Sequence, residues 1–225
     1  GIFAREGSEE ITSMSRFILQ HSDAGLRLVD RFSRQHPLHI NFMDAGFSFR
    51  LKRGGGRKEM IAKAVGVKPR LQVIDCTAGL GRDSFLLASL GCDVVMFERS
   101  KVLALLLEDA ISRALANEQL AEIAGRIRLV HGDAIQLLGC QTNTPQVIFI
   151  DPMFPTRKKS AQVKGEMQIL QRFVGKDEDA STLVRCAMAT GSKRVVLKRP
   201  IAATDDFEPS FSLKGKSSRF DIFLQ

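Results

Sequence analysis

Leu71 to Asp83, reading L-Q-V-I-D-C-T-A-G-L-G-R-D, constrains the chain more than any other stretch. A short apolar run (Leu71, Val73, Ile74) ends in an acid, Asp75. A turn of small residues with Gly79 and Gly81 comes next, and then an amphipathic segment from Ser84 to Leu90. The pattern predicts a buried parallel strand, a tight turn and the N-terminus of a helix. Glycine lets the backbone approach a ligand closely, and the first turn of a helix leaves N–H groups without intrahelical partners. The spacing D-x-T-x-G-x-G is not the dinucleotide fingerprint G-x-G-x-x-G, which needs a third glycine where Ser84 stands. Many α/β proteins carry a glycine-bearing turn here as plain architecture, so the turn alone leaves both readings open.

The next segments of the chain repeat the alternation of strand and helix. Asp93 to Phe97 predicts a second strand ending in Glu98-Arg99, and Val102 to about Ala116 a long helix with apolar residues at helical spacing. Glu98 lies 23 residues after Asp75. An acid ending the second strand is placed to accept hydrogen bonds from both ribose hydroxyls of a nucleoside cofactor, or it caps the next helix. Ile127 to His131 predicts a third strand, with Gly132-Asp133-Ala134 after it. Asp133 either meets an adenine's exocyclic amine or caps a short helix. His131 reads as a packed or rim histidine. Ahead of the central strand, Glu59 to Val65 predicts a helix ended by Gly66. The first 58 residues are weaker in pattern; Phe17, Ile18, Leu26, Leu28, Val29, Ile40 and Phe42, with Phe47, Phe49 and Leu51, fit short strand or helical pieces of a small N-terminal subdomain.

The fourth strand, Val147 to Ile150, carries a more specific signal, for it runs into D-P-M-F-P, Asp151 to Pro155. An exocyclic amine on a planar base is a poor nucleophile, because its lone pair is delocalised into the ring. A carboxylate accepting one N–H and a backbone carbonyl accepting the other aim that lone pair outward. Asp151 and the carbonyl of Pro152 are expected in that role on the resemblance given below; proline fixes the bend and removes a competing donor. Phe154 supplies an aromatic face on which the base stacks. A rigid turn after a strand explains the prolines but not the acid and the aromatic.

Charge points to the partner. Lys and Arg number 33 against 25 Asp and Glu, a formal net charge of +8, which favours a polyanion. The positive residues cluster: Arg50, Lys52, Arg53, Arg57 and Lys58 around three glycines, then Arg157, Lys158, Lys159 and Lys164, then Lys198-Arg199. The first cluster grips phosphates or is a solvated linker. Four scattered cysteines without C-x-x-C pairing read as reduced thiols, and no metal is expected. No apolar run nears the roughly 20 residues of a membrane span, and polar Gly1 to Glu10 has no signal-peptide core, so a cytoplasmic location is expected. Helices from about Gln162 to Phe173 and Ala180 to Ala189, a fifth strand Arg194 to Leu197, and a terminal hairpin from Ser210 to Lys214 and Arg219 to Leu224 complete the alternation.

The glycine turn resembles the first motif of Rossmann-like S-adenosylmethionine (SAM) methyltransferases, D-x-G-x-G-x-G, with Thr77 at the first glycine. D-P-M-F resembles the (D/N)-P-P-(F/Y) of enzymes that methylate exocyclic amines. Taken with R-G-G-G-R, F-E-R-S, the run from D-P-M-F-P to K-x-E-M, V-V-L-K-R-P and R-F-D-I, the sequence resembles the small-subunit ribosomal RNA guanine-N2 methyltransferases known as RsmJ, from Phe49 to the C-terminus. The resemblance implies a class I fold: a mostly parallel seven-stranded sheet with a C-terminal antiparallel hairpin, residues 59–225, after a small N-terminal α/β subdomain and basic loop, residues 1–58. It implies SAM as donor, S-adenosylhomocysteine as product, and 16S rRNA or the small subunit as partner; the sequence leaves the oligomeric state open, with a monomer favoured. It implies SAM contacts at Arg82-Asp83, Glu98-Arg99, Asp133-Ala134 and Asp151, beside the turn residues Asp75, Thr77, Gly79 and Gly81. The alternatives are an amino-methyltransferase acting on DNA or a protein glutamine, and a catalytically silent RNA-binding module.

Overall fold

The computed structural model describes residues 16–44, 58–153, 165–174, 179–203 and 207–225. Phe154 and the basic residues Arg50, Lys52, Arg53, Arg57, Arg157, Lys158, Lys159 and Lys164 lie outside the described residues, as do Phe47, Phe49 and Leu51.

The chain opens with strands β1 (Phe17–Ser22), β2 (Gly25–Asp30) and the two-residue β3 (Leu38–His39), which form an antiparallel sheet in the order β1-β2-β3. Ile40 and Phe42 are buried, as their alternation predicts, but lie just past the short β3. Helix α1 (Met60–Val65) ends at Gly66 and leads to β4 (Gln72–Asp75), α2 (Arg82–Ser89) and β5 (Asp93–Glu98). Next come α3 (Lys101–Leu115), the single turn α4 (Ala121–Ala124), β6 (Ile127–His131), α5 (Ala134–Gly139) and β7 (Val147–Ile150). Helices α6 (Gly165–Val174) and α7 (Ala180–Ala189) precede β8 (Arg194–Pro200) and the hairpin β9 (Phe211–Lys214) and β10 (Ser218–Leu224).

Seven strands make one sheet in the order β6-β5-β4-β7-β8-β10-β9. Pairing is parallel from β6 to β8, and β10 is antiparallel to both β8 and β9. All four residues of β7, V-I-F-I, are buried, as expected of a strand covered on both faces. Val147 and Phe149 pack toward one side with Leu86 and Leu87 of α2, Ile61 of α1 and Val196. Ile148 and Ile150 pack toward the other with Leu138 of α5 and Leu183 and Val184 of α7. Each such side chain removed from water contributes about 1.5–3 kcal/mol. Cys92 is fully buried in the first of these layers. No helix among the described residues is long and apolar enough to cross a membrane.

Strand order reverses at β4, which has β5 on one side and β7 on the other. In open α/β sheets the crevice beyond the carboxyl ends of the strands at such a reversal is where ligands bind. The glycine turn comes after β4 and D-P-M-F-P after β7, so both motifs open onto this crevice.

Candidate active site

The turn after β4 is held open by main-chain bonds. The Cys76 N–H reaches Phe149 O at 2.9 Å, the Ala78 N–H reaches Phe97 O at 3.1 Å, and the Gly81 N–H closes on Ala78 O at 2.7 Å. Two glycines take left-handed φ for different reasons. A Cβ on Gly79 (φ 55°) would meet nothing nearer than Thr77 O at 3.7 Å, so this position faces open space where a ligand comes against bare backbone. A Cβ on Gly81 (φ 70°) would lie 2.7 Å from Leu107 Cδ2 and 3.1 Å from Phe42 Cζ, so this glycine lets α2 seat against the core. The helix starts at Arg82, two residues earlier than the amphipathic pattern alone marks, because Gly81 makes the turn that precedes its first residue.

Asp75 is 2% exposed beneath this turn. Its Oδ1 accepts the Thr77 N–H at 3.0 Å and its Oδ2 accepts the Ser84 hydroxyl at 2.6 Å. Burial pushes its pKa up to about 7, against the pull of those two bonds and with the aid of nearby Asp83 and Asp151. Burial also drives the adjacent Cys76 thiol well above its ordinary value. Glu98 accepts the Gly79 N–H at 2.9 Å on Oε2 and the Ser100 N–H at 2.8 Å on Oε1, so it braces the turn and the start of α3. Asp133 accepts the Ile135 N–H at 2.8 Å and thereby caps α5.

These elements enclose a pocket of about 510 Å³, inside the usual range for small-molecule sites. The structure brings Asp75, Thr77, Gly79, Arg82, Asp83, Glu98, Arg99, Asp133, Ala134, Asp151 and Pro152 onto its wall; Gly81 stands behind it. Met153, and Leu170 and Val174 of α6, add an apolar flank that sequence spacing did not reveal, and Asp179 pairs with Arg99 across the rim at 3.0 Å. Thr77 proves more than a substitute for glycine: its Oγ1 accepts the Asp151 N–H at 2.7 Å and ties the two motifs together.

Lys198 and Arg199, expected at the RNA interface, each meet acids of the protein itself. Lys198 points into the pocket, with Nζ 2.7 Å from Asp151 Oδ2 and 3.0 Å from Asp83 Oδ2. Burial draws its pKa down, but the attraction of Asp151 and Asp83 outweighs this and the net direction is up. Arg199 is buried and ion-paired with buried Asp221, which also accepts from Arg219 and Ser212. Lys58 is exposed at the start of the described segment before α1.

The comparisons with known proteins decide the family. A family model for SAM-dependent methyltransferases matches residues 5–225. Ribosomal RNA small subunit methyltransferase J of Stutzerimonas stutzeri is 46% identical over 97% of this chain and 87% of its own length. The chain belongs to this family of SAM-dependent methyltransferases. A protein of the same name from Ectopseudomonas mendocina is 47% identical over 92% of the chain and 82% of its own length. Among solved structures, a SAM-dependent methyltransferase from Neisseria gonorrhoeae superimposes with a TM-score of 0.76 at 34% identity, covering 94% of this chain and 84% of that one. The fold is therefore the class I methyltransferase fold expected from the motifs. The wall of this pocket combines bare backbone at Gly79, the carboxylate of Glu98 and the apolar side chains of Phe97, Leu103 and Ile135.

Proposed function

We propose that this enzyme methylates the exocyclic N2 of a guanine in 16S rRNA, on the naked RNA or the small ribosomal subunit, and that it acts as a monomer in the cytoplasm. The observation that carries the reading is the joining of the two motifs: Asp151, first residue of D-P-M-F-P, lines the same pocket as the glycine turn and is bonded to it through Thr77. The names of the relatives, small subunit rRNA methyltransferases, support the RNA substrate, and the net charge of +8 fits a polyanionic partner.

SAM, when bound, supplies a methyl group made electrophilic by its sulfonium and leaves as S-adenosylhomocysteine. Glu98 would accept from the ribose, Gly79, Arg82 and Asp83 would border the amino-acid end, Arg99 would flank the ribose side, and Asp133 and Ala134 would border the base. Asp151 would accept one N–H of the guanine amine and the Pro152 carbonyl the other. That turns the nitrogen lone pair toward the donor and leaves the carboxylate beside the proton the amine must lose. Phe154 would fix the ring plane by stacking. Because the nucleophile needs only orientation, positioning carries most of the rate, about 7–11 kcal/mol in favourable cases. A guanine inside a helix must be flipped out to reach the site. The basic clusters Arg50 to Lys58 and Arg157 to Lys164 would hold the RNA backbone.

The test supplies labelled SAM with small subunits from cells lacking the protein, beside naked rRNA, DNA and bulk protein, and ends in nucleoside analysis. Label in N2-methylguanosine from a ribosomal substrate is the expected result. Label in DNA or in glutamine would overturn the substrate, and SAM binding without any transfer would favour a silent RNA-binding module.

A further inference from the structure

The sheet places Lys198 where its charge acts on the target side of the site. Strands β7 and β8 run parallel with Ile150 opposite Leu197, so the next step along each brings Asp151 beside Lys198. From the other side, Asp83 in the first turn of α2 reaches the same ammonium. One half-buried cation thus sits between two carboxylates that come from different elements, 2.7 Å and 3.0 Å away. A third carboxylate, Asp75, is close enough to feel both. Two other described cations on the pocket wall meet different acids, Arg199 with Asp221 and Arg99 with Asp179. Arg82 is exposed at the helix start, and Glu98 and Asp133 accept backbone N–H groups on the far wall.

We propose that Lys198 is a positioning residue for methyl transfer: its ammonium clamps Asp151 to Asp83, keeps the Asp151 carboxylate ionised and fixes its orientation for the amine. The role rests on the reading of Asp151 given above. Without the cation, Asp83 and Asp151 face each other in one partly dry site, and a like charge nearby raises a carboxylate's proton affinity. A protonated Asp151 is a poorer acceptor for the amine and takes no proton from it. Lys198 itself remains charged and is not the base. The clamp also joins the end of β7 to the first turn of α2, so the acceptor for the target amine and the cofactor side of the pocket are held by one side chain.

The test separates this role from the substrate reading. Aspartate carboxyl carbons are labelled with 13C and titrated in the free wild-type protein and in Lys198→Met and Lys198→Gln, with Asp151 assigned by Asp151→Asn. The Asp151 titration is expected to move up by at least one pH unit, tenfold in proton affinity, in both neutral variants. Lys198→Arg is expected to keep it near wild type, and adding Asp83→Asn to Lys198→Met is expected to bring it back down. On the RNA substrate, the acid limb of kcat should rise by the same interval while KM for RNA stays within twofold. An Asp151 titration unchanged in the folded neutral variants overturns the clamp whatever the substrate is. Absence of transfer by wild type, with the titration shift present, overturns only the substrate reading.

Discussion

At the scale of single residues, the chemistry depends on atoms that motif spelling does not report. Thr77 stands where related turns carry glycine, and its hydroxyl gives the Asp151 N–H its partner at 2.7 Å. Replacing it with valine keeps the shape and removes the acceptor, leaving a partly buried N–H unsatisfied at a cost of about 1–3 kcal/mol. Thr77→Val is therefore expected to lower the urea midpoint and to slow transfer, while Thr77→Ser stays near wild type in both; equal behaviour of the two variants would deny the hydroxyl any role. Asp75 gives the fold a signed dependence on pH. Its folded pKa, about 7, is raised above the ordinary 3.8, so the folded state binds the extra proton between those values. Its contribution is fully present below about pH 4 and is lost as pH rises toward 7. Asp30, held below its ordinary value by its hydrogen bond to Arg16, acts in the opposite sense at lower pH. Urea unfolding at stepped pH should show the difference between wild type and Asp75→Asn falling from pH 4 to pH 7 and levelling beyond; a level difference throughout would show that Asp75 titrates normally. Asp75, Glu98 and Asp151 were legible as site candidates because each ends a strand at a fixed offset from a turn. The hydroxyl bridge was not, since it links positions 77 and 151 through a pairing that local pattern cannot express.

At the scale of elements, β8 shows why two adjacent positive residues have different fates. Successive side chains on a strand point to opposite faces. Lys198 shares the face of Val196, toward α2, and meets Asp83 and Asp151; Arg199 shares the face of Val195 and Leu197 and meets Asp221 of β10. Read as charge in a row, K-R looks like a phosphate grip, and only the antiparallel register of β10 against β8 reveals a buried acid waiting for the arginine. Burial lowers the Arg199 pKa despite Asp221, a sign of how dry the pair is. Removing one partner of a buried ion pair costs about 3–5 kcal/mol. Asp221→Ala is expected to lose that much stability in denaturant titration. Asp221→Leu combined with Arg199→Met is expected to recover most of it, and RNA affinity of the double variant should match wild type. A loss of RNA binding in that folded double variant would return Arg199 to the RNA interface. The seven strands themselves were legible, because alternating strands and helices with a closing hairpin mark each strand by its own apolar run.

At the scale of the whole molecule, the N-terminal sheet and the methyltransferase sheet share one hydrophobic cluster. Leu19, Leu28, Leu38, Ile40 and Phe42 lie in the same packed group as Phe85 of α2 and Leu103, Leu106 and Leu107 of α3. Phe42 stacks on Phe85 with ring centroids 4.2 Å apart and planes at 16°, and its Cζ is the next atom, after Leu107 Cδ2, that a Cβ on Gly81 would crowd. Sequence marked residues 1–58 as a weakly patterned appendage because β1 and β2 bury few of their side chains and β3 pairs through only two residues. The weak local pattern hides a strong non-local one, since its apolar residues are matched to helices more than 40 residues away along the chain. The consequence is mechanical. A ring that supports the glycine turn from behind contributes to the shape of the SAM pocket without lining it. Phe42→Ala is expected to cost about 3–5 kcal/mol. Because the cluster is continuous, that loss should appear as one cooperative unfolding transition and not as early release of the N-terminal strands. The chain has no Trp or Tyr, so the transition is tracked by far-UV circular dichroism and by amide hydrogen exchange resolved to β2 and α2. Protection lost together in β2 and α2, with weaker SAM binding by calorimetry below the transition, is the expected outcome. Protection lost in β2 while α2 and SAM affinity stay at wild-type levels would mean that the N-terminal sheet is an independent unit, and that Gly81 is held by α3 alone.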